Sequence, residues 1–182
     1  MSASPKMQRE EIPVAGPEQA RNWFAIYTLS NQEKKAEQHL RMREIETFLP
    51  THAVTKRWKN RMTVTTDVPL FTGYIFVKIK RTDSSRVLEV PCVHSIVGNG
   101  REALALPNEE LEALRLGLQH RQADPCPYLK VGEMARIRSG ALAGLKGIIV
   151  RKDGQLRVVL SIDQIMKSIA VHVTADEVEM CG

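Results

Sequence analysis

Aromatic residues supply only 5% of this 182-residue chain, and its three cysteines, Cys92, Cys126 and Cys181, include no closely spaced pair. Neither a thiol-exchange motif nor a disulfide framework can be built from them, so all three read as structural. The five histidines, at 39, 52, 94, 120 and 172, offer no His-x-x-x-His pair and no neighbouring cysteine cluster. No metal site is expected on that spacing. Apolar runs are short as well, far below the roughly 20 residues that cross a bilayer. Residues 1–21 mix Lys6 and Arg9 with Glu10, Glu11 and Glu18 and lack the apolar centre of a secretory signal. The expectation is a cytoplasmic protein with no membrane partner. Enzyme signatures are missing too: there is no P-loop, no Gly-x-Ser-x-Gly elbow and no dinucleotide fingerprint, and the carboxylates are scattered. The sequence therefore predicts no catalytic residue, no cofactor and no enzyme activity.

What remains is an ordinary globular balance, 43% apolar and 26% charged, with a net charge of +5 that favours polyanionic partners without requiring them. The first 21 residues carry Pro5, Pro13 and Pro17 and no apolar period, which predicts a disordered tail. Trp23-Phe24-Ala25-Ile26-Tyr27 then reads as a central strand, apolar on both faces. Ser30-Asn31-Gln32-Glu33 has the form of a capping box, followed by Ala36, Leu40 and Arg43 at helical spacing, so a helix is expected over about 31–44. Strands are predicted after Pro50, through Met62, Val64 and Thr66, and over Gly73-Tyr74-Ile75-Phe76-Val77-Lys78-Ile79. A short helix follows from Ser84 to Val90, then an edge strand from Val93 to Val97. Asn108 opens a helix carrying Leu111, Leu114 and Leu118.

This is an α+β pattern, an antiparallel sheet packed with helices, assigned to residues 22–118. Residues 119–130, polar and broken by Pro125 and Pro127, read as a linker. Beyond it, residues 131–182 hold four short β-rich runs at 134–137, 148–151, 157–160 and 169–173, the spacing of a small β-barrel. Gly140, Gly144 and Gly147 follow the first of these runs and suit tight turns there.

Two features could carry chemistry. Lys56-Arg57-Trp58-Lys59-Asn60-Arg61 joins four cations to an indole at a hairpin tip, a combination that pairs with phosphates and stacks on bases, or that merely solvates an exposed edge. Trp23, Tyr27, Tyr74 and Phe76 concentrate the scarce aromatics on two strands, as core or as a docking patch for a partner helix.

These residues together resemble the NusG family of transcription elongation factors over about 160 residues, from Trp23 to Glu179. The resemblance lies in the Trp23 strand, Pro50, Pro69-Leu70-Phe71-Thr72-Gly73-Tyr74-Ile75-Phe76-Val77, Val97-Gly98, Leu106-Pro107, and a stretch from Gly132 to Gly147 that looks like the family's KOW motif. It implies an NGN-like N-terminal domain and a C-terminal SH3-like KOW barrel. Thr72 stands where the family usually has proline. Residues 161–168, Ser-Ile-Asp-Gln-Ile-Met-Lys-Ser, replace the Phe-Gly-Arg loop that serves termination factor Rho and ribosomal protein NusE. The replacement resembles specialised UpxY-type antiterminators and, more distantly, RfaH.

By that resemblance the chain is a bacterial, operon-specific elongation factor, a monomer associated with the nucleoid through the transcription complex. Trp23, Tyr27, Phe71, Tyr74 and Phe76 would build and border a surface for the clamp helices of RNA polymerase, reaching across the cleft to the opposite subunit. Ser30, Asn31, Gln32, Lys34 and Lys35 would face the non-template DNA strand. Lys56, Arg57, Trp58, Lys59 and Arg61 would approach upstream DNA or nascent RNA. Asp163, Gln164, Ile165, Met166 and Lys167 would form the loop of the KOW unit that contacts a ribosomal protein or another factor, with Rho no longer implied. Ile165 and Met166 could serve there as exposed anchors or close the barrel core. A ribosome-associated KOW-domain RNA-binding protein is the alternative from a different class.

Overall fold

The computed structural model describes residues 20–57, 62–119, 123–126, 132–152 and 155–181. The expected N-terminal tail and the tip residues Trp58, Lys59, Asn60 and Arg61 lie outside them, apart from residues 20 and 21. Strand β1 (Asn22–Thr28) is buried at four consecutive positions, Trp23 to Ile26, as its uninterrupted apolar run requires. It is followed by α1 (Glu33–Met42), β2 (Glu46–Phe48), β3 (Thr51–Arg57), β4 (Thr63–Pro69) and β5 (Tyr74–Ile79). Helix α2 (Ser84–Leu88), β6 (Val93–Ile96), β7 (Ala105–Leu106) and α3 (Asn108–Gly117) complete the first half.

The first sheet is antiparallel in the order β2-β5-β1-β6, with β7 also on β1. Alternation along β1 divides its side chains between two cores. Phe24 and Ile26 meet Ala36 and Leu40 of α1 and Val87 of α2. Trp23 and Ala25 face Phe71, Phe76 and, from α3, Leu111 and Leu114. Helices thus cover both faces, which is why β1 reads as apolar throughout. Strands β3 and β4 form a separate two-stranded ribbon with paired residues from Thr51↔Pro69 to Arg57↔Thr63.

The second half is all-β. Strands β8 (Ala123–Cys126), β9 (Met134–Ile137), β10 (Lys146–Lys152), β11 (Gln155–Ile162), β12 (Lys167–His172) and β13 (Val178–Met180) make one antiparallel sheet in the order β13-β9-β10-β11-β12-β8. The four predicted runs are β9 to β12, and Gly140 and Gly144 take the positive φ of the β9–β10 turn. Strand β8 falls inside the stretch expected as linker, because Ala123 fits the core and four of its residues pair with β12.

One helix start differs from expectation, while the other begins at Asn108 as predicted and uses that residue for a tertiary contact. Helix α1 begins at Glu33, Asn31 takes a left-handed φ of 56°, and no side chain caps the helix. The capping box of Ser30 and Glu33 is therefore not formed; Glu33 is turned inward to another donor. In α3, the Asn108 amide oxygen accepts the Trp23 backbone N–H at 3.0 Å and so ties the helix to β1 instead of capping it.

Candidate docking and nucleic-acid interface

Gly73 organises the docking region from the backbone outward. Its N–H donates to the buried carboxylate of Glu33 at 2.7 Å, and its carbonyl accepts the Thr28 N–H at 2.8 Å. A φ of 85° suits glycine, and an added Cβ would press to 3.1 Å from the Tyr27 ring. The next residue, Tyr74, is the direct partner of Tyr27 across β5 and β1, and their ring centroids lie 5.3 Å apart. His94 of β6 meets Tyr27 edge-on at 5.5 Å. Tyr27 is 41% exposed and Tyr74 half-buried, so this pair borders solvent. Burial, and secondarily Tyr27, pushes the Tyr74 hydroxyl above the usual phenol range.

The other three aromatics of the proposed surface lie beneath it. Trp23, Phe71 and Phe76 are fully buried; Phe71 meets Phe76 edge-on at 5.6 Å, and Phe48 touches both Phe76 and Trp23. They build the platform, whereas Tyr27 and Tyr74 present it. The Trp23 indole N–H donates to Glu112 at 3.0 Å, and the same carboxylate pairs with Lys78 at 2.6 Å and Arg115 at 2.8 Å. Both cations also lie near the indole ring, at 5.6 and 5.9 Å. The Lys78 hydrogen bond, helped by Trp23 and Arg115 and opposed by burial, holds the Glu112 carboxyl below its usual range. Sequence patterning missed these roles of Glu33, Glu112 and His94: Glu33 reads locally as a capping-box residue, Glu112 and His94 belong to no motif, and the Gly73 and Trp23 partners of the two carboxylates lie 40 and 89 residues away.

Ser30, Asn31, Lys34 and Lys35 are exposed around the start of α1, and Gln32 is half-buried where its side-chain oxygen accepts the Cys92 thiol at 3.9 Å. This group lies beside the tyrosines because Glu33 joins α1 to Gly73. Lys56 and Arg57 are exposed at the end of β3, facing solvent on the ribbon. Trp58, Lys59 and Arg61 lie outside the described residues. In the second half, residues 163–167 are split: Ile165 is buried in the core, while Met166 is 64% exposed with a left-handed φ of 50°. Asp163, Gln164 and Lys167 flank it on the surface. Of the two anchors expected from sequence, Met166 alone is presented; Ile165 closes the core because its apolar side chain fits under the 3₁₀ turn of residues 163–165.

The family model described as transcription termination factor nusG matches residues 21–115, which span the first sheet, α1, α2 and all but the last two residues of α3. The chain belongs to the NusG family. Two transcription termination/antitermination NusG proteins from Staphylococcus aureus, strains Mu50 and N315, are each 27% identical over 177 residues, covering 88% of this chain and 96% of theirs. A solved structure concerned with domain interaction in Thermotoga maritima NusG is similar at 25% identity and a TM-score of 0.56, over 87% of this chain and 96% of that one. Both halves of the NusG arrangement are thus matched in order, and the chain is a transcription termination/antitermination factor that works with the transcription machinery. Among its described residues no helix is long and apolar enough to cross a membrane.

Proposed function

We propose that this chain suppresses pausing or termination by docking on RNA polymerase through the Tyr27–Tyr74 face and bridging the nucleic-acid cleft. The observation that carries the reading is an aromatic pair bordering solvent, Tyr27 exposed and Tyr74 half-buried, on a fully buried aromatic base. Such a base fixes the rings in place before binding, so little side-chain entropy is lost on contact. The clamp helices are the docking partner, with the opposite wall of the cleft as the second contact. The 30–35 turn faces the non-template strand, and the Lys56–Arg57 end of the ribbon faces upstream nucleic acid. Bridging favours the closed, elongating polymerase by its differential affinity alone. A preference of about 1.4 kcal/mol suffices for a tenfold change in pause lifetime.

The unit of residues 22–118 does the docking, and the all-β unit recruits a factor through Met166. Replacement of the Phe-Gly-Arg loop favours a specialised, operon-restricted role and a partner other than Rho. The test is single-round elongation with RNA polymerase from the source cell, with and without the chain, on templates from several operons. Shortened pauses on a subset of templates are expected. Pauses unchanged on every template, with no binding to polymerase, would overturn the proposal.

A further inference from the structure

Strand β8 stands between the two halves in sequence, yet its backbone pairing belongs to the second. Ala123, Asp124, Pro125 and Cys126 pair with Val171, Ala170, Ile169 and Ser168 of β12. The strand is short, lies at the sheet edge and contains a proline that donates no backbone hydrogen bond, so its backbone alone holds it weakly. Side chains supply the rest. Ala123 is buried, and Cys126 packs against the cluster of Ile148, Val159 and Ala170. Asp124 lies opposite Ala170, whose small side chain leaves a lateral path to β11. Across it the Asp124 carboxylate pairs with Arg157 at 3.2 Å and approaches His172 at 3.4 Å. The Arg157 side chain is only 13% exposed. A guanidinium covered by a strand that brings no carboxylate is strongly unfavourable, so this slot favours an acidic occupant over a neutral one.

We infer that the β12 edge, with Arg157 and His172 beside it, is a docking slot for an acidic extended segment, and that residues 123–126 are its resident occupant. The occupant sets the reach of the all-β unit. With β8 in place, three residues separate Gln119 from the sheet, a span of at most about 14 Å. With β8 displaced, twelve residues separate Gln119 from Gly132, and the maximum span rises to about 45 Å. A partner that offers an acidic strand therefore gains the edge by β-augmentation and, in the same exchange, lengthens the tether between two units that otherwise meet only through side-chain packing such as that of Leu142 on Gly117.

The experiment uses the full-length chain without polymerase, so its outcome is independent of the docking proposal. Amide exchange and the distance between a label on α1 and one on β13 are measured for the wild type, for Asp124→Asn, and for Ser168→Cys oxidised to its register partner Cys126. In Asp124→Asn, exchange at residues 123–126 should accelerate at least about 10-fold while β10 and β11 keep their protection, and the distance should lengthen. The oxidised Ser168→Cys chain should show neither change. A synthetic peptide of residues 121–128 should restore protection along β12 of Asp124→Asn, and its Asp-to-Asn counterpart should not. Unchanged exchange in Asp124→Asn, uniform loss of protection across the all-β unit, or equal binding of both peptides would each overturn the inference.

Discussion

Tyr74→Ala removes one ring of the exposed pair while Phe71 and Phe76 still hold β5 from below. It should weaken binding to an isolated clamp-helix fragment by roughly 2 kcal/mol, the scale of an aromatic hot spot, with a thermal midpoint close to wild type. Loss of binding only in proportion to unfolding would show Tyr74 to be a packing residue. Glu33 acts on the same site from behind. Glu33→Ala leaves the buried Gly73 N–H without an acceptor, at a cost of about 1–3 kcal/mol in urea unfolding, and Glu33→Gln, which keeps an acceptor, should lose less. Glu112 has a testable sign. Its folded carboxyl is held low, so its contribution is present above the unfolded value near 4.5 and is lost as pH falls through the folded one. Acid titration of stability should show that loss in wild type and a flatter limb in Glu112→Gln. The aromatic set was legible in the sequence because alternation and a local motif mark it. The Glu33 role was not: Ser-x-x-Glu is a sound local capping signal, and a buried tertiary donor 40 residues away outcompeted it.

The β3–β4 ribbon belongs to the scale of elements. It carries Lys56 and Arg57 on exposed backbone, with Thr55 and Thr65 hydroxyls 3.1 Å apart across the strands. If both cations meet phosphates, changing them together to Ser should reduce the log-log salt slope of elongation-complex binding by about 1.4–1.8; an unaltered slope would make the ribbon end ordinary solvated surface. Strands with dense β-branched residues, β10 to β12, were readable from composition and spacing alone. Short strands were not. Glu46–Phe48, Ala105–Leu106 and Val178–Met180 have too few residues to show a period, and Ala-Asp-Pro-Cys reads as part of a linker because proline and aspartate disfavour sheets. Each exists because a neighbouring strand supplies its hydrogen bonds.

At the scale of the whole molecule, the two halves touch where Leu142, a fully buried residue of the β9–β10 turn, lies against Gly117 at the end of α3. Two effects oppose each other at Gly117. Alanine would favour the helix by up to about 1 kcal/mol, but its Cβ would run into the Leu142 side chain. The clash should win: Gly117→Ala in the full-length chain should enlarge the scattering radius, and Leu142→Ala in the same chain should restore both compactness and the helix gain. A radius unchanged by Gly117→Ala would mean that the turn yields without separating the units. No sequence period announces this contact, since it joins a glycine and a turn leucine that each look sufficient within their own half.

The position of β1 governs how the chain can be made. The first of the described strands is the central one, and its neighbours β5, β6 and β7 are encoded only by residues 74–106. Until those residues leave the ribosome, Trp23, Phe24 and Ile26 have no sheet to enter, and the nascent chain must carry them exposed. The later unit has the opposite order: β9, β10 and β11 pair with their immediate successors, so closure costs little chain entropy at each of those steps. Stalled nascent chains ending before residue 100 should therefore be protease-sensitive throughout, with resistance arriving for the first half only once α3 has emerged. A mutation that slows β5 pairing would then be felt first as lost yield during synthesis, before any effect on transcription could be seen.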